Sequence, residues 1–470
     1  MNRINHSLIV LFIGVLIHSH WVVGQIPTYD TTLIETLAHE FLNTTHLPGF
    51  SLAVGKGGKI LYARGFGFAD REREVPMTPS TRLRTASVAK VLTATAIAKL
   101  VSEGKLKLDS PIKTYVPYIP ARYADLTCRQ LAGHTAGIPH RPKGNGYQKK
   151  PFTSIQKTVE LFRSPLRFTP DTEYQYSTGG FNLLAAAIEG ASGGEYKDYM
   201  EKEIFEPLGM YNTQPEDINA LSENDAQLYS IKDQVLKREK KLVNGSYKLP
   251  GAGFRSTPSD LVKMMKAYSG EMISPEVTQA IFTSHTLKNG EKTQVGIGWR
   301  TSIDAFGKIC IEHAGSWQGA RSVIVFYPEE ELSVSIMINA SCQVFIEEMA
   351  HIFAQLFRHD FNRVEAPQSS ASNQAVNIIF RSSEGEQKLL GEISLQGTSG
   401  ELSSANSKGF LHAIPLHYLG QKDWYAAITP YGIHYMEIRK KPSLSGELFL
   451  YGTRNASPPT QDTPMVSFFE

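Results

Sequence analysis

Three short stretches carry residue types able to make and break an acyl bond. Ser87-Val88-Ala89-Lys90 opens a strongly helical run whose buried face is marked by Leu92, Ala96, Leu100 and Val101. Positions three apart share a helix face, so the Lys90 amine comes next to the Ser87 hydroxyl. A serine is a weak nucleophile that needs a neighbouring base, and a lysine serves as one only where burial or nearby positive charge lowers its pKa. A nucleophile at a helix start also has backbone N–H groups aimed at the oxyanion that its attack creates. Tyr176-Ser177-Thr178 lies in a loop just before another helical run. A phenol held near cations there can surrender its proton and act as a base. His313-Ala314-Gly315, followed by Ser316, ends a strand-like stretch. A donor or cation and then a residue without a side chain leave room for an extended substrate along a strand edge, and the Ser316 N–H can join that of Ser87 in an oxyanion hole. Singly, each motif reads equally well as something plainer: a helix N-cap with a solvated lysine, a core tyrosine, a turn histidine.

The elements that must position these residues come from both ends of the chain. A helix is expected over residues 30–46, where Leu33, Leu37 and Phe41 recur at helical spacing, and Pro48-Gly49 breaks it. Two strands follow, at 51–56 and 59–67, joined by Gly57-Gly58; the Ser87 helix runs to about Glu103 and is closed by Gly104. Helices and loops dominate 110–270. Strands return at 296–301, 308–313, 321–327 and 332–339, and a helix over 344–358 ends this part. The pattern predicts an α/β fold with one sheet built from both ends and a helical insert between. Residues 365–374 read as a linker, 375–453 as a small all-β domain expected to restrict access to the cleft, and 454–470 as a disordered tail.

Composition bounds the partners. With 470 residues, 41% hydrophobic and 20% charged, the chain is neither mainly disordered, nor collagen-like, nor a coiled coil. Its 48 basic and 46 acidic residues give a net charge of +2, and the basic run near Lys237 to Lys241 is short, which argues against a nucleic-acid partner. Arg3, the apolar run 7–17 and small or acceptable residues at Val22 and Gly24 form a signal-peptide pattern over 1–24. His18, Ser19 and His20 break that run short of a membrane span, and the mature chain is expected to be secreted. Sequons at Asn43, Asn244, Asn339 and Asn455 would then be open to glycosylation. Cys128, Cys310 and Cys342 cannot build a disulfide scaffold and are expected as buried small hydrophobes.

In their order and spacing the three motifs resemble those of the β-lactamase-related serine hydrolases, of class C β-lactamase and penicillin-binding protein type, and most of all the animal mitochondrial branch of that family. The resemblance covers about residues 30–360, through PGFSLAVGKGGKILYARGFGFAD, RTASVAKVLTATAIAKLVSEGKLKLDSPI, LTCRQLAGHTAGI, YQYSTGGFNLLAAAIEGASG, GAGFRSTPSDLVKM and GIGWRTS. It implies the β-lactamase/transpeptidase-like sandwich over 28–364, an antiparallel sheet flanked by helices. It also implies a Ser87 acyl-enzyme on a small peptide, amide or ester, with Lys90 as base or relay and Tyr176 activating attack and deacylation. His313, in place of the more usual lysine, holds a substrate carboxylate or tunes Tyr176; Gly315 leaves room, and the Ser87 and Ser316 N–H groups bind the oxyanion. No cofactor is implied. Thr178 stands where the family carries Asn, and a Thr hydroxyl is expected to reach one partner only. These departures keep a rival open: a catalytically weak or inactive protein of the same fold with a binding or filament-forming role, which leaves self-association open.

Other matches fail on context. Gly190-Ala191-Ser192-Gly193-Gly194 fits G-x-S-x-G as text, but a helix precedes it and the glycines read as a C-cap. Gly65-Phe66-Gly67 lacks the helix and the third glycine of a dinucleotide loop. His134 reads as a structural histidine in a turn. His351 and His359 lack a metal-ligand partner at suitable spacing, and no metal is expected. Loops 139–151 and 223–248 carry clusters of Lys and Arg and read first as solvated excursions; the former, if it borders the cleft, would favour acidic substrate groups.

Overall fold

Strand-forming residues from the two ends of the chain meet in one sheet. The computed structural model describes residues 31–358, apart from 145, 150, 233 and 234, and the strands of a C-terminal barrel between 374 and 449. The expected signal peptide, the linker up to its last residue, the tail, His359 and Asn455 lie outside the described residues. Helix α1 (Thr31–Thr45) buries Ile34, Leu37, Ala38 and Phe41 on one stripe. Strands β1 (Gly49–Lys56) and β2 (Lys59–Asp70) form a hairpin, with Gly57 and Gly58 both at the positive φ that a tight turn between twisted strands requires. Helix α2 (Ala89–Ser102) begins within the first motif, and helix α3 (Gly179–Ser192) follows the second. Strands β3 (Arg300–Ile303), β4 (Ile309–Trp317), β5 (Ala320–Tyr327) and β6 (Leu332–Ile338) precede helix α4 (Ile346–Gln355). The sheet order is Val75–Pro76, β2, β1, β6, β5, β4, β3, antiparallel throughout.

Side chains alternate across this sheet with period two, which creates two cores. Phe50, Leu52, Val323, Val325, Val334 and Ile336 face α1 and α4, whereas Ile311, Ile324 and Met337 face the helical layer that holds α2 and α3. Helix α2 is buried nearly all round, as expected of a helix at the centre of a layer.

Two strand expectations shift. Residues 296–299 are not strand: Gly298 takes φ 73°, and a Cβ there would lie 3.1 Å from the Ala94 Cβ, so the chain turns close against α2 before β3 begins. Strand β4 does not end at His313 but runs to Trp317. Its neighbour β3 pairs only with Ile309–Glu312, which leaves His313–Trp317 with a bare edge.

The C-terminal strands are β7 (Gln374–Ser382), β8 (Gly385–Gln396), β9 (Ser399–Ser404), β10 (Ile414–Tyr418), β11 (Trp424–Thr429), β12 (Gly432–Lys440) and β13 (Leu444–Phe449). They close a barrel in which β7 and β13 pair in parallel. This barrel sits on α1 and α4, across the sheet from Ser87, so it does not cover the cleft of its own chain as expected. The Glu348 carboxylate binds His434 Nδ1 at 2.6 Å and accepts from Tyr435 N at 3.2 Å, His417 meets Glu40 at 2.5 Å, and Phe306 packs against Trp424 and Tyr435.

Candidate active site

Ser87 sits in a 3-10 turn, Ala86–Val88, that leads into α2. Ala86 holds φ 45°, an uncommon conformation for a residue with a Cβ and a local strain at the nucleophile. The turn is pinned from β5, where Ser322 Oγ donates to Thr85 O at 2.5 Å. Gly315 of β4 packs against it: a Cβ there would lie 2.8 Å from Ser87 N, 2.7 Å from Thr85 O and 2.3 Å from Ser322 Oγ. The lack of a side chain at Gly315 therefore brings strand and nucleophile together.

Lys90 is fully buried, and burial drives its amine well below the ordinary lysine range. A neutral amine has two N–H groups and one lone pair. Nζ lies 2.8 Å from Gly251 O and 3.1 Å from Thr178 Oγ1, which takes both N–H groups. The lone pair is left for the Ser87 hydroxyl, 3.4 Å away. Gly251 is small of necessity, because a Cβ there would lie 2.7 Å from Thr178 Cγ2 and 3.5 Å from Nζ.

Tyr176 corrects an expectation. Burial pushes its phenol up to about 12, against the lowering effect of hydrogen bonds with Ser87 and Thr178 and of the Arg300 charge. The phenol keeps its proton, and the two cations expected beside it are absent as charges. Lys90 favours its neutral form, and burial, then the Arg300 charge, holds His313 well below the usual imidazole range. His313 Nδ1–H donates to Ala314 O at 2.7 Å, which leaves Nε2 as an acceptor and not a cation for a carboxylate. Thr178 reaches two groups, Lys90 and Tyr176, where one was expected.

The loop that carries Tyr176 stands on two further histidines. His134 Nδ1 accepts from Ser177 N at 3.1 Å and His140 Nδ1 from Thr178 N at 3.3 Å. Both roles require an unprotonated Nδ1, and burial is the main cause that lowers His134 far and His140 to about 4. Their rings lie 4.5 Å and 5.6 Å from that of Tyr176. His134 is thus structural, as its turn suggested.

A cavity of ≈ 290 Å³ is lined by Ser87, Tyr176, Thr178 and Ser316 and, with them, by Arg141, Lys248 and Trp317. His313 and Gly315 belong to the same strand edge behind it. Both basic loops therefore border the cleft. Residues 34–351 match the Beta-lactamase family.

The chain belongs to that family. Serine beta-lactamase-like protein LACTB, mitochondrial, of Homo sapiens is 32% identical over 306 residues, covering 49% of this chain and 55% of its own length. The chain thus spans about half the length of the curated relatives it first matches. Among solved structures, the octameric penicillin-binding protein homologue from Pyrococcus abyssi has a TM-score of 0.61 at 24% identity, covering 88% of this chain and 96% of that one. The D-amino acid amidase from Ochrobactrum anthropi SV3 has a TM-score of 0.58 at 23% identity, covering 66% and 92%. These two likenesses concern the fold, the β-lactamase/transpeptidase-like arrangement expected from the motifs.

Within this beta-lactamase frame several site residues carried no motif. Gly251 lies in the quoted GAGF stretch, yet nothing there marks its carbonyl as a lysine partner. Arg300, in GIGWRTS, pairs with Glu347 at 3.3 Å and bears electrostatically on both Tyr176 and His313. A further correction concerns His351. Its Nε2 lies 2.9 Å from Glu312 Oε2 and 3.5 Å from Cys310 Sγ, so partners at metal-ligand distance do exist. The three side chains are buried on the α4 face of β4, away from Ser87, and the Cys310 thiol is pushed well up by burial and by Glu312. Among the described residues Cys128 and Cys310 are buried and Cys342 is partly so, all three free.

Proposed function

We propose that this chain is a serine acyl hydrolase that opens peptide, amide or ester bonds through an acyl-enzyme on Ser87. The observation that carries the reading is the buried Lys90 amine, within 3.4 Å of Ser87 Oγ and held by Gly251 O and Thr178 Oγ1. Ser87 Oγ attacks the substrate carbonyl carbon and its proton passes to Lys90 Nζ. The carbonyl oxygen, now an anion, is held by the backbone N–H groups of Ser87 and Ser316. A buried ammonium is unfavourable, so the proton moves on through the hydroxyls of Thr178 and Tyr176 to the leaving nitrogen or oxygen as its bond to carbon breaks. Water then attacks the acyl carbon, gives a proton back along the same route, and releases the acid and Ser87. Side chains and water handle each proton and electron pair, and no cofactor enters. Tyr176 acts here as a relay that retains its proton, not as a phenolate.

The test is labelling with a fluorophosphonate, read by intact mass, on wild type beside Ser87→Ala and Lys90→Ala. One adduct on wild type, absent in Ser87→Ala and strongly slowed in Lys90→Ala, is the expected result. A folded wild type that takes no label would move the protein to the scaffold reading.

We also propose that the mature chain is secreted, on the strength of the 1–24 pattern. Asn43 is exposed on α1 and available to a glycan. Asn339 is not: it is buried, with Nδ2 donating to Phe68 O, Ala69 O and Gln227 O, and Asn244 is buried too. Expression in a eukaryotic secretory host should yield medium protein that begins at Gln25 and shifts with a glycosidase. The archaeal homologue is described as octameric; self-association of this chain is our proposal by likeness, and a monomer mass from light scattering would end it.

A further inference from the structure

The cleft has two chemically different ends. Tyr176 and the Arg300 charge lie toward His313, with the Tyr176 and His313 rings 6.3 Å apart. A leaving group that takes its proton from Tyr176 lies at that end. The acyl part of the substrate then extends the other way, past Ser316 to Trp317, along the C-terminal part of the bare edge.

At the Trp317 end the walls are basic. Lys248 Nζ sits 3.8 Å from the centre of the Trp317 ring, and Arg84 packs against the same indole at 4.1 Å. Lys248 and Arg141 both line the cavity. Arg84 is committed, since its Nε lies 2.7 Å and 2.9 Å from the two Glu216 oxygens. Glu216 is committed as well, to Arg84 and to Arg255 at 2.8 Å. Lys248 and Arg141 have no carboxylate partner among the described residues. A half-buried lysine amine and a guanidinium thus line, with no counter-charge, the same cavity as Ser87.

We propose that Lys248 and Arg141 form an anion subsite that selects substrates with a carboxylate on the acyl side of the scissile bond. This rests on the hydrolase reading above and narrows its substrate class. The geometry has an electrostatic counterpart: burial first, then the charges of Arg141 on loop 139–151 and of Arg84 (Lys90 on α2 adds to them only when protonated), hold Lys248 down to about 6, with Glu216 opposing. His140, on the same loop, is already neutral at that pH. Anion binding supplies the missing counter-charge and returns the proton to Lys248.

Two aryl phosphonate esters test the subsite without any need for turnover. They differ at one position of the chain that mimics the acyl part, a carboxylate in one and a carboxamide in the other. Ser87 Oγ bonds to phosphorus, the aryl oxygen leaves as a phenol, and intact mass follows the rate on the full chain. In wild type the carboxylate probe is expected to label about tenfold faster, the lower range for a charge-assisted contact. The ratio should grow from pH 8 to pH 6 as Lys248 gains its proton; loss of the Lys90 base affects both probes and cancels. In Lys248→Gln the ratio should fall toward one. Arg141→Gln, on an exposed loop, should lower it too and covers the case that Lys248→Gln does not fold. If neither probe labels folded wild type, the hydrolase reading falls and takes the subsite with it. Equal rates for the two probes overturn the subsite alone. So does a ratio that survives in the folded variants, or one that stays flat or shrinks toward pH 6.

Discussion

The Lys90 amine lies 3.4 Å from the Ser87 hydroxyl while its two N–H groups point elsewhere, to Gly251 and Thr178. That arrangement suits an amine without its third proton. It assigns to Lys90 a part that a solvated lysine could not play at neutral pH.

The pH dependence follows directly. Burial lowers the Lys90 pKa, so its base form is populated above the lowered value and lost as pH falls through it. Ser87 labelling by a neutral probe should rise with unit slope through that lowered pKa and then level off above it. Tyr176, pushed up to about 12, titrates beyond this plateau. Lys90→Met should slow labelling by ~10²–10⁴-fold. An inflection near ~10.4, the ordinary lysine value, would show that burial does not set the base.

Gly315→Ala is expected to harm chemistry more than folding. The added methyl meets Ser322 Oγ at 2.3 Å and Ser87 N at 2.8 Å, so either β4 or the Ser87 turn must move. Overpacking of this kind costs about 1–3 kcal/mol. Labelling of Ser87 should fall at least tenfold in protein that still melts cooperatively; an unchanged rate would separate the turn from the strand.

His134→Phe keeps ring volume and removes the acceptor for Ser177 N–H. The orphaned donor should cost about 1–3 kcal/mol in thermal melts. The loop under Tyr176 loosens with it, so kcat should drop more than KM rises. His134→Asn, which restores an acceptor, should recover part of both.

On the far face, Glu348→Ala strips the partner from buried His434 Nδ1 and from Tyr435 N–H. Each group left unsatisfied costs about 1–3 kcal/mol. Denaturation should shift by that sum and Glu348→Gln by less, while Ser87 labelling stays at the wild-type rate. A parallel loss of labelling would mean that the barrel bears on the cleft.

Much of this site was legible in the chain because its chemistry is short-range in sequence. Ser87 and Lys90 share one helix start, Tyr176 and Thr178 one loop, His313 and Gly315 one strand. Their charges were not legible. Whether a lysine, a phenol or an imidazole is ionised depends on burial and on neighbours such as Arg300 and Gly251, which reach the site through sheet and turn geometry that no local spacing records. The same limit explains β9: Ser399-Gly400-Glu401-Leu402-Ser403-Ser404 has little strand preference and is strand because Gly391–Gln396 pairs with it. His351, too, met its partners only once α4 had packed on β4.

The alternation along β4 has one more implication. Cys310, Glu312 and Ala314 point to α4, and Ile311, His313 and Gly315 to the Ser87 side. Inserting or deleting a single residue in β4 upstream of 313 would trade these two sets: a carboxylate would enter the cleft, an imidazole would enter the far core, and a Cβ would press on Ser87. Substitutions here can be graded one at a time, but the reading frame of the strand cannot. Chains that vary in length in this region are expected to keep the count from Cys310 to Trp317 and to take up insertions in the turns on either side, at 304–308 and 318–319.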